Sequence, residues 1–120
     1  MQLTSEQQDF AAAVRHFCAR ECGTREQRER LTADGPDEHS HALYKRIAEL
    51  GWASVNVPEE FGGGGGGAVD LCLLLEELAY GLAPVHGIET TVTCVGPYSR
   101  FGSEAQKREV LGGIVAGAVE

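Results

Sequence analysis

The amino-acid sequence predicts an all-α fold, a bundle of about five to six helices packed orthogonally or up and down. Apolar residues recur at three- and four-residue intervals, as in Phe10, Val14, Phe17 and Cys18. Capping residues stand ahead of these stripes. The short run Trp52–Val57 has no second run to pair with as a strand, so it reads as an extended connection.

The first helix opens at Thr4 or Ser5, each an N-cap residue with Gln7 or Gln8 three positions on. It ends near Gly23. Residues 24–39, TREQRERLTADGPDEH, are polar and read as an exposed connection, part of it helical, with a turn at Asp34-Gly35-Pro36. Ser40 precedes a second amphipathic run carrying Leu43, Ile47 and Leu50, and Gly51 stops it. The third helix runs from about Ala68 to Leu82. Leu71, Leu74, Leu75, Leu78 and Leu82 form one face, and Val69, Leu73 and Tyr80 the opposite one. Polar side chains are confined to two narrow stripes, Asp70 with Glu77 and, on the other flank, Glu76. A helix apolar on two sides is expected to pack between neighbours. A fourth helix covers roughly Gly87 to Gly96 with Ile88, Val92 and Val95. Pro97 is expected to break it before a short helical turn, PYSRFG. Ser103 with Gln106 then caps a fifth helix whose apolar face is Val110, Leu111, Ile114 and Val115, weakened by Gly112-Gly113.

The chain has 120 residues, enough for one domain burying roughly two-thirds of its unfolded surface. Its 18 acidic and 10 basic side chains give a formal charge of −8. That balance argues against gripping nucleic acid, which needs clustered Lys and Arg. No run approaches the ~18 apolar residues of a membrane span, and MQLTSEQQDF lacks the charged start and apolar core of a signal peptide. The expected location is cytoplasmic.

Of the four cysteines, Cys18, Cys22, Cys72 and Cys94, none shows the C-x-x-C spacing of common zinc or redox motifs. Cys18 and Cys22 would share a helix face, and a zinc site with His39 and His41 can be drawn. Packing as small hydrophobes is the preferred reading, with no metal expected. Glu76 and Glu77 are adjacent and point about 100° apart, so they suit ion pairs better than shared acid–base work. His86 reads as a loop histidine, and Ser103 to Arg108 as a solvated helix start.

The six glycines Gly62–Gly67 stand directly before the most hydrophobic helix. A phosphate loop would need a Lys and a hydroxyl after them, but Ala68 and Val69 follow; a dinucleotide fingerprint would need a βαβ unit. Asp70 in the first helical turn also makes an anion unwelcome. Positive-φ turns and close passage past a neighbour are the preferred explanation.

Several stretches together resemble the N-terminal helical domain of acyl-CoA dehydrogenases: AELGWASVNVPEEFGGGGGG, LLLEELAYGLAP and RFGSEAQKREVLGGIVAG. The resemblance covers about Leu43 to Gly117, and more loosely the Phe10 helix. The glycine run is longer than the family's, and Ala68 stands where a capping hydroxyl is usual. The resemblance implies residues 1–120 as one helical domain of a flavoenzyme, with a middle β-domain and a C-terminal helical domain not in this segment. It implies α,β-dehydrogenation of an acyl-CoA thioester. A glutamate base removes the α-proton while the β-hydride passes to FAD. The base and the principal FAD contacts belong to those other domains, so no catalytic or cofactor-binding residue is expected here, and the segment alone is expected to be inert. The implied partners are acyl-CoA, an electron-transferring flavoprotein and further subunits, identical or different.

In that family the helix after the EEL helix lines the deep end of the acyl tunnel. The matching residues are Glu89, Thr90, Val92 and Thr93, the candidate substrate-binding set. Glu89 has two readings: a carboxylate favoured by the helix dipole, or a polar group that limits acyl length or binds a polar substituent. Thr90 and Thr93 either line the tunnel or bond backbone carbonyls. Three rivals stand beside this reading: a non-catalytic subunit of a heteromeric complex, a flavin monooxygenase on the same scaffold, and a stand-alone helical interaction module. The last predicts few exposed apolar residues, whereas the two-sided third helix and the weak last helix point to missing neighbours.

Overall fold

Thr4 opens the first helix with a reciprocal cap: its hydroxyl accepts from the Gln7 amide at 3.1 Å, and the Gln7 side chain accepts from the Thr4 amide at 3.0 Å. The same device recurs at Thr24 with Gln27 and at Ser103 with Gln106. Ser40 uses half of it, accepting from Leu43 at 3.1 Å. The computed structural model describes residues 1–33 and 39–120, in which the helices are α1 (Ser5–Cys22), α2 (Arg25–Thr32), α3 (His41–Glu49), α4 (Ala68–Tyr80), α5 (Ile88–Phe101) and α6 (Glu104–Val115). A single 3-10 turn, Glu59–Phe61, lies between α3 and α4. No strand occurs among the described residues.

The all-α expectation therefore holds, with two corrections in detail. The helical part of residues 24–39 is Arg25–Thr32, which forms α2. It buries no residue, so no apolar stripe announced it. The expected turn at Asp34-Gly35-Pro36 lies outside the described residues. Pro97 does not break the fourth helix: α5 continues through it to Phe101. Proline removes one donor and crowds the preceding turn. Here the helix is pinned on both sides of it, by buried Val92 and Val95 before and half-buried Tyr98 after. Trp52–Val57 is a series of turns rather than an extended connection, with Val55 and Val57 amides bonded to Trp52 and Ser54 carbonyls at 3.2 and 3.1 Å.

The larger core joins α1, α3, α4 and the start of α5 through Val14, Phe17, Leu43, Ile47, Leu74 and Val92. Each fully buried aliphatic side chain contributes about 1.5–3 kcal/mol. Trp52 closes one side of this core, edge-on to Phe10 and Phe17 at 6.0 and 5.2 Å between ring centres. A smaller core of Val57, Val95, Leu111 and Ile114 sets α6 against α5 and the 3-10 turn. α1 and α4 run in close contact, and Gly81, just after α4, leaves no room for a side chain: a Cβ there would lie 2.4 Å from the Cys18 Cβ. Cys18 and Cys22 donate to the carbonyls of Glu77 and Gly81 at 3.8 and 3.6 Å across that contact.

The principal extents are 43 × 37 × 18 Å. A slab 18 Å thick holds about two helix diameters, so α4 cannot be covered on every side. Its two-sided pattern is only partly used: Leu73, Leu74 and Leu78 are buried, while Tyr80 is 80% exposed. Leu50, Leu82 and Phe101 are exposed as well. Glu77, placed by pattern on a polar flank, is instead buried at 6% exposure.

Candidate functional site

α4 ends with an unusual turn. The Leu82 amide donates to Ala79 O and the Ala83 amide to Leu78 O, which forces Leu82 to φ 54°. This left-handed conformation favours glycine and costs other residues about 1–2 kcal/mol. Leu82 is nonetheless 61% exposed, so burial does not offset the strain. Its side chain stands at a cleft of about 710 Å³ between α2, the end of α4 and the start of α5. Leu75 and Leu78 form part of the apolar wall, Pro84 belongs to the turn before α5, and Arg25 and Arg28 of α2 face them. Arg28 is fixed by donating to the Cys22 carbonyl at 2.8 Å, and Arg25 pairs with Glu29 at 2.7 Å. The cleft thus sets an apolar wall opposite a mixed-charge one, in which Glu29 offsets Arg25.

Glu89 lies in the first turn of α5 and on the rim of this cleft. The helix N-terminus favours its negative charge. Thr90 and Thr93 are exposed on α5 but do not line the cleft. The Thr93 hydroxyl donates to the Glu89 carbonyl at 2.7 Å. Val92 points the other way, fully buried in the larger core. The sequence-derived set is thus divided between the cleft rim, the open face of α5 and the interior. Sequence reasoning missed Arg25 and Arg28 as lining residues. Their one available signal was the Thr24–Gln27 cap, which marked a helix rather than a loop.

Two other candidates can be placed. The cysteines and histidines do not converge: Cys18 and Cys22 bond backbone carbonyls between α1 and α4, whereas His39 and His41 meet Glu120. The neighbouring Cys22 thiol, and then burial, push the Cys18 thiol upward, which keeps it protonated. Glu77 takes Arg15 in a bidentate pair, at 2.9 and 2.5 Å, a structural role rather than acid–base partnership with Glu76.

The glycine run offers nothing to a phosphate. The amides of Gly62, Gly63, Gly64, Gly65 and Gly66 donate to the carbonyls of Glu59, Pro58, Ser54, Val57 and Val55 at 2.8–3.2 Å. The Gly67 amide donates to Asp70 Oδ2 at 2.9 Å. An anion cradle needs free N–H groups, and all of these are occupied. Gly62 and Gly65 have φ of 90° and 65°, and a Cβ on Gly63 would lie 2.1 Å from the Val57 carbonyl oxygen. Turn geometry and close passage explain the run.

Comparison with known proteins fits this architecture. Residues 4–118 match the family described as acyl-CoA dehydrogenase, N-terminal domain. The acyl-CoA dehydrogenase FadE12 of Mycobacterium tuberculosis is 35% identical over 88 residues, which is 68% of this chain and 21% of that protein. The probable acyl-CoA dehydrogenase YngJ of Bacillus subtilis is 29% identical over 118 residues, covering 97% of this chain and 30% of its own length. A chain in the crystal structure of the ChsE4–ChsE5 complex from Mycobacterium tuberculosis superposes with a TM-score of 0.74 at 27% identity, over 100% of this chain and 30% of that one. This chain thus spans less than a third of the length of the curated relatives it matches. With the helical order, the glycine turn and the α4–α5 junction in place, the chain belongs to the acyl-CoA dehydrogenase family, as its N-terminal domain.

Proposed function

We propose that this domain serves an FAD-dependent acyl-CoA dehydrogenase, an oxidoreductase that introduces an α,β double bond into an acyl-CoA thioester. Its part is to form the wall and deep end of the acyl pocket. The observation that carries this reading is the cleft, in which strained Leu82 and buried Leu78 give an apolar surface with Glu89 at the rim. Glu89 limits acyl length or meets a polar substituent, and Thr90 and Thr93 extend the same face of α5 toward the rest of the pocket. Val92 acts from behind, holding α5 in position through the core.

The glycine loop does not fit the pyrophosphate of FAD, because its amides are consumed internally. In the proposed reading FAD is held mainly by residues outside this segment, and the reacting groups belong there too. Exposed Tyr80, Leu82 and Phe101 support packing against those further domains. An electron-transferring flavoprotein is the proposed acceptor.

The likeness to a chain of the ChsE4–ChsE5 complex supports a second reading alongside the first, assembly with a different subunit; a non-catalytic part in such an assembly is the alternative it opens.

The test uses the full-length protein. A flavin absorption spectrum and reduction by acyl-CoA are expected. Glu89→Gln should shift the acyl-length optimum of kcat/KM while flavin reduction persists. An unchanged preference across a chain-length series would remove Glu89 from the pocket. A protein that neither binds flavin nor is reduced would favour the non-catalytic subunit.

A further inference from the structure

After α6 the chain turns back on itself. Gly117 adopts φ 69°, and the amides of Ala118 and Val119 donate to the Gly113 carbonyl at 2.9 and 3.2 Å. The Tyr44 hydroxyl donates to the Val119 carbonyl at 3.4 Å, which fixes this return against α3. Glu120 is thereby set between two imidazoles at the start of α3. Its Oε2 lies 3.0 Å from His39 Nε2, and its Oε1 contacts His41 Nδ1. The rings of His39 and His41 meet edge-on with centres 4.7 Å apart. The position of α3 itself is fixed nearby, where the Ser40 amide donates to the Pro84 carbonyl at 2.8 Å.

We propose that His39, His41 and Glu120 form a divalent-cation site, taking a borderline transition ion such as Zn²⁺, that clasps the segment after α6 to the start of α3. The three ligand atoms lie within 4.8 Å of one another. Bonds of about 2.1 Å in a tetrahedral array put neighbouring donors about 3.4 Å apart, so small side-chain shifts suffice. His39 Nδ1 is buried and has no partner among the described residues. Nε2, which faces the carboxylate at 3.0 Å, is the nitrogen placed to take an ion. Two imidazoles and one carboxylate select Zn²⁺-like ions over Ca²⁺ or Mg²⁺, which take oxygen sets. The His41 side chain is 79% exposed, which leaves an approach and a water-filled fourth position. The chain's charge of −8 draws cations to it. The ion is a clasp rather than a reaction centre: it joins elements whose sequence separation is 79 and 81 residues.

The experiment takes the untagged full-length protein carrying Cys72→Ser, so that the exposed thiol takes no part, after chelation and dialysis. Zn²⁺ is titrated by calorimetry, with Co²⁺ as a visible-absorption probe of coordination and Ca²⁺ and Mg²⁺ as comparisons. One Zn²⁺ per chain should bind saturably and raise Tm. His41→Ala and Glu120→Gln, both at accessible side chains, should each weaken binding by more than the roughly tenfold that losing an outer-shell partner costs. Absence of saturable Zn²⁺ binding would overturn the proposal, as would binding that survives both substitutions or equal binding of Mg²⁺.

Discussion

Arg15 of α1 grips both carboxylate oxygens of Glu77 of α4, 62 residues away in sequence. The two ends differ: the Arg15 side chain is 61% exposed and that of Glu77 only 7%. The hydrogen bond to Glu77 raises the Arg15 pKa, so the guanidinium is charged at any working pH. Removing the arginine strands a buried carboxylate, whereas removing both replaces the pair with apolar contact. Arg15→Met should therefore lower Tm by a few degrees, and Arg15→Met with Glu77→Met should recover part of the loss. A thermal-melt cycle measures this. A double variant no more stable than the sum of the singles would show that the carboxylate needs no partner.

The glycine run should discriminate sharply by position. Gly63→Ala puts a methyl group against the Val57 carbonyl, and backbone cannot swing aside. It should destabilise by more than about 1 kcal/mol. Gly67 has φ −96° and ψ −169°, normal for an N-cap, and a Cβ there would meet only Asp70 Oδ2, at 4.0 Å. Gly67→Ser should be neutral or stabilise by a few tenths of a kcal/mol, since serine caps slightly better than glycine. Urea midpoints at constant m-value give both numbers. Equal effects at the two positions would mean the run is only a spacer.

Leu82 gives a stability–function contrast. Leu82→Gly relieves the left-handed strain and gives up little burial, so stability should rise by about 1 kcal/mol. If the cleft receives the acyl chain, KM for longer acyl-CoA substrates should rise in the same variant. Loss of stability would show that the leucine already has a packing partner in the intact protein.

The legible part of this fold was whatever announces itself within one helical turn. Thr4, Ser40 and Ser103 marked helix starts correctly, because a cap and its N3 partner are neighbours in sequence. Thr24 and Gln27 carried the same signal but went unread, since α2 buries nothing and shows no apolar period. Glu77 was assigned to a polar stripe because its partner sits on another helix. Pro97 misled for the converse reason: a local breaker was overridden by packing on both sides. At the site, Glu89 fell on the cleft rim, but the facing Arg25 and Arg28 are visible only once α2 has folded beside α4. The meeting of His39 and His41 with Glu120 depends on the return after α6 and has no sequence signature at all.

The wiring of Gly64, Gly65 and Gly66 to Ser54, Val57 and Val55 has a consequence for chain length. Each amide has a fixed counterpart, so adding or deleting a single residue would throw every later one out of step. Although it reads like slack tether, this tract behaves as a gauge block, setting how far α4 stands from the turns beneath it.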